Sequence, residues 1–142
     1  MKKNLLIILS FFILITIVIV YVCIINQKVN VQANKINKEF ESYTQSKIKG
    51  SQLITVINKA IDQNEKNEVK KDEKNLYIEN EKNSIKIEIK FLESDKTFTM
   101  EAINTVGTEA FIKNYKSVDF ICTTKEYHKN TKQIKYMLFE EI

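Results

Sequence analysis

Few residues in this chain are of types that could do chemistry. His128 is the single histidine, and Cys23 and Cys122 are the two cysteines. One imidazole cannot supply a multi-histidine metal site within one chain, and it leaves a Ser-His-Asp arrangement without a second candidate base. Its expected place is an exposed turn. Cys122 and His128 have the residue types of a nucleophile and its base, but they stand six positions apart with a hairpin expected between them, a spacing that does not itself create contact. Asp62, Asn64 and Glu73 fall at the first, third and twelfth positions of an EF-hand loop. Lys66 at the fifth position removes an oxygen ligand, and Asn67 at the sixth removes the glycine that the sharp turn needs. Two glycines, Gly50 and Gly107, are too few for a phosphate-cradling loop. Glu39 with Glu41, and Glu140 with Glu141, pair carboxylates in helical or terminal settings where solvation accounts for them. The expectation is a chain with no catalytic residues, no cofactor and no metal.

Charge and thiol placement narrow the partners. All 22 basic residues are lysines, and arginine, proline and tryptophan are absent, a bias expected of an AT-rich bacterial genome. Beyond Lys2 and Lys3 the balance is 20 lysines against 18 acids, spread along the chain rather than clustered. Nucleic acid is therefore not an expected partner, since neither a basic stripe nor arginine's bidentate base contacts are available. Cys23 lies in an apolar stretch and Cys122 near the chain's end, so both read as free, space-filling thiols rather than a bridge.

Something must position these residues, and 142 residues allow one folded domain once an apolar N-terminal stretch is set aside. Residues 5–25 carry no charge, and seventeen of the 21 are Leu, Ile, Val or Phe. As a helix they reach roughly 31 Å, one bilayer core, and their insertion is worth about −5 to −10 kcal/mol. Leu5, Phe11, Phe12 and Ile25 mark this membrane anchor, with the lipid bilayer as its partner. No small-x-small cleavage site follows, and Val20, Tyr21 and Val22 precede Cys23 where lipoprotein processing favours a small residue. Residues 1–4 form a short basic head. Lys2 and Lys3 oppose Lys28, Lys35 and Lys38 almost evenly, and the short head favours a cytoplasmic N-terminus, a single-pass anchor in the cell membrane and an extracytoplasmic C-terminal domain.

Past the anchor, over residues 26–64, Val29, Ala33, Ile36, Phe40 and Tyr43 recur at helical spacing and predict an amphipathic stalk to about Ser46, a stripe for packing on the chain's own domain or on a partner. Gly50 interrupts it, Ser51 is a candidate cap, and Leu53, Ile57, Ala60 and Ile61 predict a second helix over 51–64. Residues 65–75 are polar and read as a linker. Over 76–142 the pattern predicts a small antiparallel sheet of about five strands, and hence an α+β fold. Ile85, Ile87, Ile89 and Phe91 alternate with Lys86, Glu88 and Lys90, the clearest strand of the chain. Flanking strands over 76–80 and 97–103 are expected to pair with it through turns at 81–83 and 93–96. A helical connector over 108–115 leads to a strand around Val118, Phe120 and Cys122, then a turn at 128–132 and a last strand over 134–140. That last strand has apolar residues on both faces, which predicts a central or doubly covered place.

A short basic head, an apolar helix continuing into an amphipathic half and then a meander sheet together resemble the type IV pilins and pilin-like proteins of bacterial secretion and surface-fibre systems. The resemblance is architectural. It implies that residues 5–25 sit in the membrane before assembly and pack with neighbours afterwards, while the stripe from Val29 to Tyr43 covers the sheet. It also implies protein partners or self-association in a non-catalytic surface or secretion assembly. The chain departs from the pattern at Lys3, Asn4 and Leu5, where pilins carry a glycine for maturation, and at Leu9 and Ser10, near where they carry a glutamate. The other expectation compatible with the residues is a membrane-anchored sensor or small-ligand-binding module, with a pocket formed by the sheet and the connector around 105–115.

Overall fold

The computed structural model describes residues 2–93 and 96–142. Met1 of the basic head and Ser94 and Asp95 of the expected 93–96 turn lie outside them, as do the side chains of Lys2, Lys3 and Leu5. Two compact units are present, one ending at Gln32 and the other spanning Ala33–Ile142.

The described residues of the first unit are all helical. Helix α1, Lys2–Thr44, contains neither glycine nor proline, so nothing in its sequence interrupts the hydrogen-bond ladder. Its two mid-stretch hydroxyls are satisfied locally: Ser10 donates to the Ile7 carbonyl at 2.8 Å and Thr16 to the Ile13 carbonyl at 2.7 Å. Such back-bonding lets a hydroxyl sit in hydrocarbon without an orphaned donor. An 18-residue stretch of this helix reaches a mean hydropathy of 3.2 with no residue buried, long and apolar enough to cross a membrane.

The second unit takes over α1 at Ala33. Ala33, Ile36 and Phe40, spaced three and four apart, are buried, as one stripe of a helix should be. Then follow β1 (Ile48–Lys49), α2 (Gly50–Lys66), β2 (Lys86–Lys90), β3 (Thr97–Thr99), α3 (Met100–Val106), α4 (Thr108–Tyr115), β4 (Asp119–Tyr127) and β5 (Ile134–Glu141). The class is α+β, with one five-stranded sheet in the order β1-β4-β5-β2-β3.

The sheet corrects the all-antiparallel expectation. β2 and β5 are parallel, from Lys86 beside Tyr136 to Lys90 beside Glu140, while the other three pairs are antiparallel. Short links force antiparallel pairing only between consecutive strands, as in β2 with β3 and β4 with β5. Between β2 and β5 lie β3, two helices and β4, a connection long enough to return the chain in the same direction. β5 is accordingly the middle strand, as its two apolar faces suggest.

Three strand assignments also shift. Residues 76–80 form no strand, only an isolated bridge of Tyr77 to Lys71. Their backbone is claimed nearby, with the Ile78 N–H donating to the Lys70 carbonyl at 2.8 Å and the Tyr77 N–H to Glu101 Oε1 at 3.2 Å. The strand expected over 97–103 stops at Thr99, whose hydroxyl accepts from the Ala102 N–H and caps α3. Met100 and Ile103 are then buried at helical spacing. The fifth strand comes from Ile48 and Lys49, paired with Phe120 and Asp119.

One face of the sheet makes the core. Ile87, Ile89, Phe120, Met137 and Phe139 meet Phe40 of α1, Leu53, Val56, Ile57 and Ala60 of α2, Met100 of α3 and Phe111 of α4. Each large side chain so buried stabilises by about 1.5–3 kcal/mol. The other face presents Lys86, Glu88 and Lys90 from β2 beside Tyr136 and Leu138 from β5.

Two residues set how the helices meet the sheet. Gly50 starts α2 with its N–H donating to the Val118 carbonyl at 2.9 Å, so close to α4 that a Cβ there would lie 2.0 Å from the Tyr115 carbonyl oxygen. Asn64, fully buried at the far end of α2, donates from Nδ2 to the Ile85 carbonyl and accepts at Oδ1 from the Ile85 N–H, both at 2.8 Å. Its carboxamide thus stands in for a neighbouring strand just before β2 begins.

Candidate functional site

Of the anchor residues, those whose side chains are described are exposed, and the Leu5 side chain lies outside the described residues. Phe11 is 63% exposed, and Phe12 and Ile25 are likewise exposed along α1. The stripe divides: Ala33, Ile36 and Phe40 are buried, Tyr43 packs half-buried against the core, and Val29 is 36% exposed. Ala33, Ile36 and Phe40 therefore serve the domain's own interior and are not open to a partner.

The candidate chemical groups do not converge. His128 is 2% exposed, which corrects the expectation of an exposed turn residue. Its ring Nε2 sits 2.8 Å from the Ser84 carbonyl and its backbone N–H donates to the Gln133 carbonyl at 2.9 Å. A nitrogen facing a carbonyl must carry the proton, so the imidazole ties the β4–β5 turn to the 80–84 turn. The 80–84 turn is organised by Asn80, whose Oδ1 accepts from the N–H groups of Lys82, Asn83 and Ser84. Cys122 is six residues from His128 along extended chain, roughly 20 Å at the rise of a strand. Burial pushes its thiol up, with Lys125 opposing, and the Sγ donates to the Thr124 carbonyl at 3.4 Å. A thiol held protonated is a poor nucleophile. Of the EF-hand positions, Asp62 and Asn64 lie in α2 and Asn64 is committed to Ile85. Among the described residues no three His, Cys, Asp or Glu side chains group as metal ligands.

On the open sheet face, Glu88 bridges two strands. Its Oε2 accepts from the Tyr136 hydroxyl at 2.9 Å, and its Oε1 lies 2.7 Å from Lys86 Nζ. Burial, followed by the hydrogen bond to Glu88 and its charge, pushes the Tyr136 phenol up. For Glu88, burial would raise the carboxyl, but the hydrogen bonds from Lys86 and Tyr136 and the Lys86 charge outweigh it and hold it below the ordinary range. These groups satisfy one another and leave no base or acid poised for transfer.

A cleft of about 520 Å³ with a largely apolar lining lies between β3, α3 and α4. That volume falls within the roughly 300–1,000 Å³ of small-molecule sites. Aromatic rings form one wall: Phe91 meets Tyr115 at 4.6 Å between ring centroids and Phe98 edge-on at 5.3 Å, and Phe111 meets Tyr115 at 5.1 Å. Ile103 and Val106 of α3 line the other side, while Ala102 and Ala110 leave the space open. Gly107 joins the two helices at φ +97°, a left-handed conformation that glycine adopts without strain. Glu93 and Asn114 also line it. Two other hollows, of about 300 and 460 Å³, are lined mainly by polar and charged side chains, among them Asn37 with Glu41 and Glu79 with Lys135.

The expected pocket around 105–115 contains one wall of this cleft, but sequence reasoning missed Phe91, Phe98 and Ile103. The available signal was the density of aromatics at 91, 98, 111 and 115, which periodicity assigned to strands and a connector without bringing them together. No family model matches the chain, and neither the curated proteins nor the solved structures include one found to be similar to it.

Proposed function

We propose that this chain is a membrane-anchored, non-catalytic, pilin-like component of a bacterial surface or secretion assembly. The observation that carries this reading is α1: one helix supplies both an apolar stretch exposed on every side and, from Ala33 onward, three side chains of the domain core. A helix used only as a tether would not need to enter the fold. Exposed apolar helix surface offers lateral packing to other membrane helices, and β3, a sheet edge with β2 as its single neighbour, offers backbone pairing.

The test is site-specific photocrosslinking in native membranes from Val29, exposed on α1. Adducts with a second copy or with a discrete partner protein are expected, and a chain that stays monomeric and uncrosslinked from Val29 and from β3 overturns the reading. The proposed orientation, N-terminus cytoplasmic and domain extracytoplasmic, rests on the short basic head. An Asp72→Cys reporter should react with a membrane-impermeant thiol reagent in intact cells, and reaction only after permeabilisation reverses the orientation.

The apolar cleft favours a second reading, an anchored extracytoplasmic sensor or small-ligand-binding module. Here the domain would report occupancy of the cleft rather than build an assembly, and the discriminating outcome is saturable small-molecule binding without crosslinked partners.

A further inference from the structure

We propose that the cleft between β3, α3 and α4 binds a small apolar molecule that carries one hydrogen-bond donor and no negative charge. This rests on the second reading above and specifies its ligand.

Shape and lining lead to the class. The aromatic wall is a run of neighbouring rings in which Phe91 and Phe111 are buried and Phe98 and Tyr115 are more open, an apolar surface that suits an aryl group or the side of an alkyl chain. Tight packing would have closed such a gap with larger side chains. Instead Ala102 on α3 and Ala110 on α4 both line it and both stay exposed, so the opening lies between two helices that the core holds through Ile103 and Phe111. Covering this surface with an apolar ligand removes apolar area on both partners from water, which favours binding.

Polarity sets the rest of the specification. Of the described residues that line the cleft, Glu93 is the one acidic side chain and Asn114 the one amide. Glu93 is exposed at the rim of the cleft; a carboxylate accepts and does not donate, so a hydroxyl or amine at one end of the ligand is recognised there, while an anion meets a like charge. No lysine, the sole basic residue type in the chain, is among the described residues that line the cleft.

The experiment uses the full chain in uncharged detergent with methyl-labelled Ala, Ile and Val, titrated with 1-naphthol and, separately, with 1-naphthoate. The two probes share a ring and differ in charge. Saturable shifts of the Ala102, Ile103, Val106 and Ala110 methyls are expected with 1-naphthol, with Ile57 and Ile87 in the core unmoved. Binding of 1-naphthoate is expected to be at least tenfold weaker. Ala102→Phe and Ala110→Phe, which fill the space from two different helices at exposed positions, should each weaken 1-naphthol binding at least tenfold with the unfolding temperature unchanged. Equal or tighter binding of 1-naphthoate at the same methyls overturns the stated ligand class and leaves the ligand-binding reading standing. If neither probe moves these methyls saturably, or if both filled variants bind 1-naphthol as the parent does, the cleft is not a site and both fall.

Discussion

Asn64→Ala removes a side chain that makes two 2.8 Å hydrogen bonds to the backbone of Ile85 in a place with no solvent exposure. The loss is more than that of two ordinary bonds, each worth about 1 kcal/mol net, because the Ile85 N–H and carbonyl are left buried without partners. With each orphaned group costing about 1–3 kcal/mol, the expected destabilisation is about 3 kcal/mol. For a folded unit of this size, that corresponds to a fall in unfolding temperature of roughly 12 °C. Near-ultraviolet circular dichroism of the full chain in uncharged detergent measures it, and hydrogen exchange at the Ile85 amide locates it. Asn64→Asp separates the two bonds. At neutral pH a carboxylate keeps the acceptor for the N–H, loses the donor and faces the Ile85 carbonyl with a buried charge. When protonated it can donate again. Its folded pKa is therefore raised, so the variant should be near parental stability below the ordinary carboxyl range and lose stability as pH rises through and beyond it. A loss below about 1 kcal/mol for Asn64→Ala, or an Asn64→Asp variant equally unstable at pH 4 and pH 7, would refute the assignment of Asn64 as a strand surrogate.

Three further outcomes follow from the packing. Gly50→Ala places a Cβ 2.0 Å from the Tyr115 carbonyl oxygen, so backbone must move, and a loss of about 2 kcal/mol is expected in thermal unfolding. Phe40→Ala should cost about 3–5 kcal/mol while Phe12→Ala, exposed on the same helix, leaves the domain's unfolding unchanged in the same scan. Glu88 has its carboxyl held below the ordinary value of 4.5, so its contribution is present above that pH and lost as pH falls through the depressed value. Glu88→Gln should therefore lower stability at neutral pH and flatten its decline toward acid in a pH series of unfolding temperatures, whereas an unchanged slope would show that Lys86 and Tyr136 do not select the charged carboxylate.

Legibility in the sequence followed the range of the forces involved. The strand at 86–90 was readable because Ile87 and Ile89 alternate with lysine and glutamate, and the helix at 108–115 because a short apolar-polar repeat needs only its own turn to form. Tyr77 and Ile78 read as a strand in the sequence because their apolar character says nothing about which backbone groups they meet. Those groups are supplied by Lys70 and Glu101 from elsewhere in the chain. His128 looked like a turn residue for the same reason, since its burial depends on Ser84, 44 positions away. Asparagines serve as backbone partners at Asn37, Asn64 and Asn80, a role composition does not reveal, with Asn37 bonding both the Ile134 N–H and the Lys132 carbonyl.

The sequence by itself determined that the chain begins with a helix apolar enough to cross a bilayer, that an α+β unit follows, and that Ala33, Ile36 and Phe40 share a buried face, because hydropathy and periodicity are local properties of consecutive residues. Only the tertiary structure decided that β5 lies between β4 and β2, parallel to the latter, and that Phe91, Phe98, Phe111 and Tyr115 meet beside Ala102 and Ala110 to leave a cleft. Strand order and cavities arise from contacts between segments far apart in the chain, and many arrangements of the same elements satisfy the same local pattern.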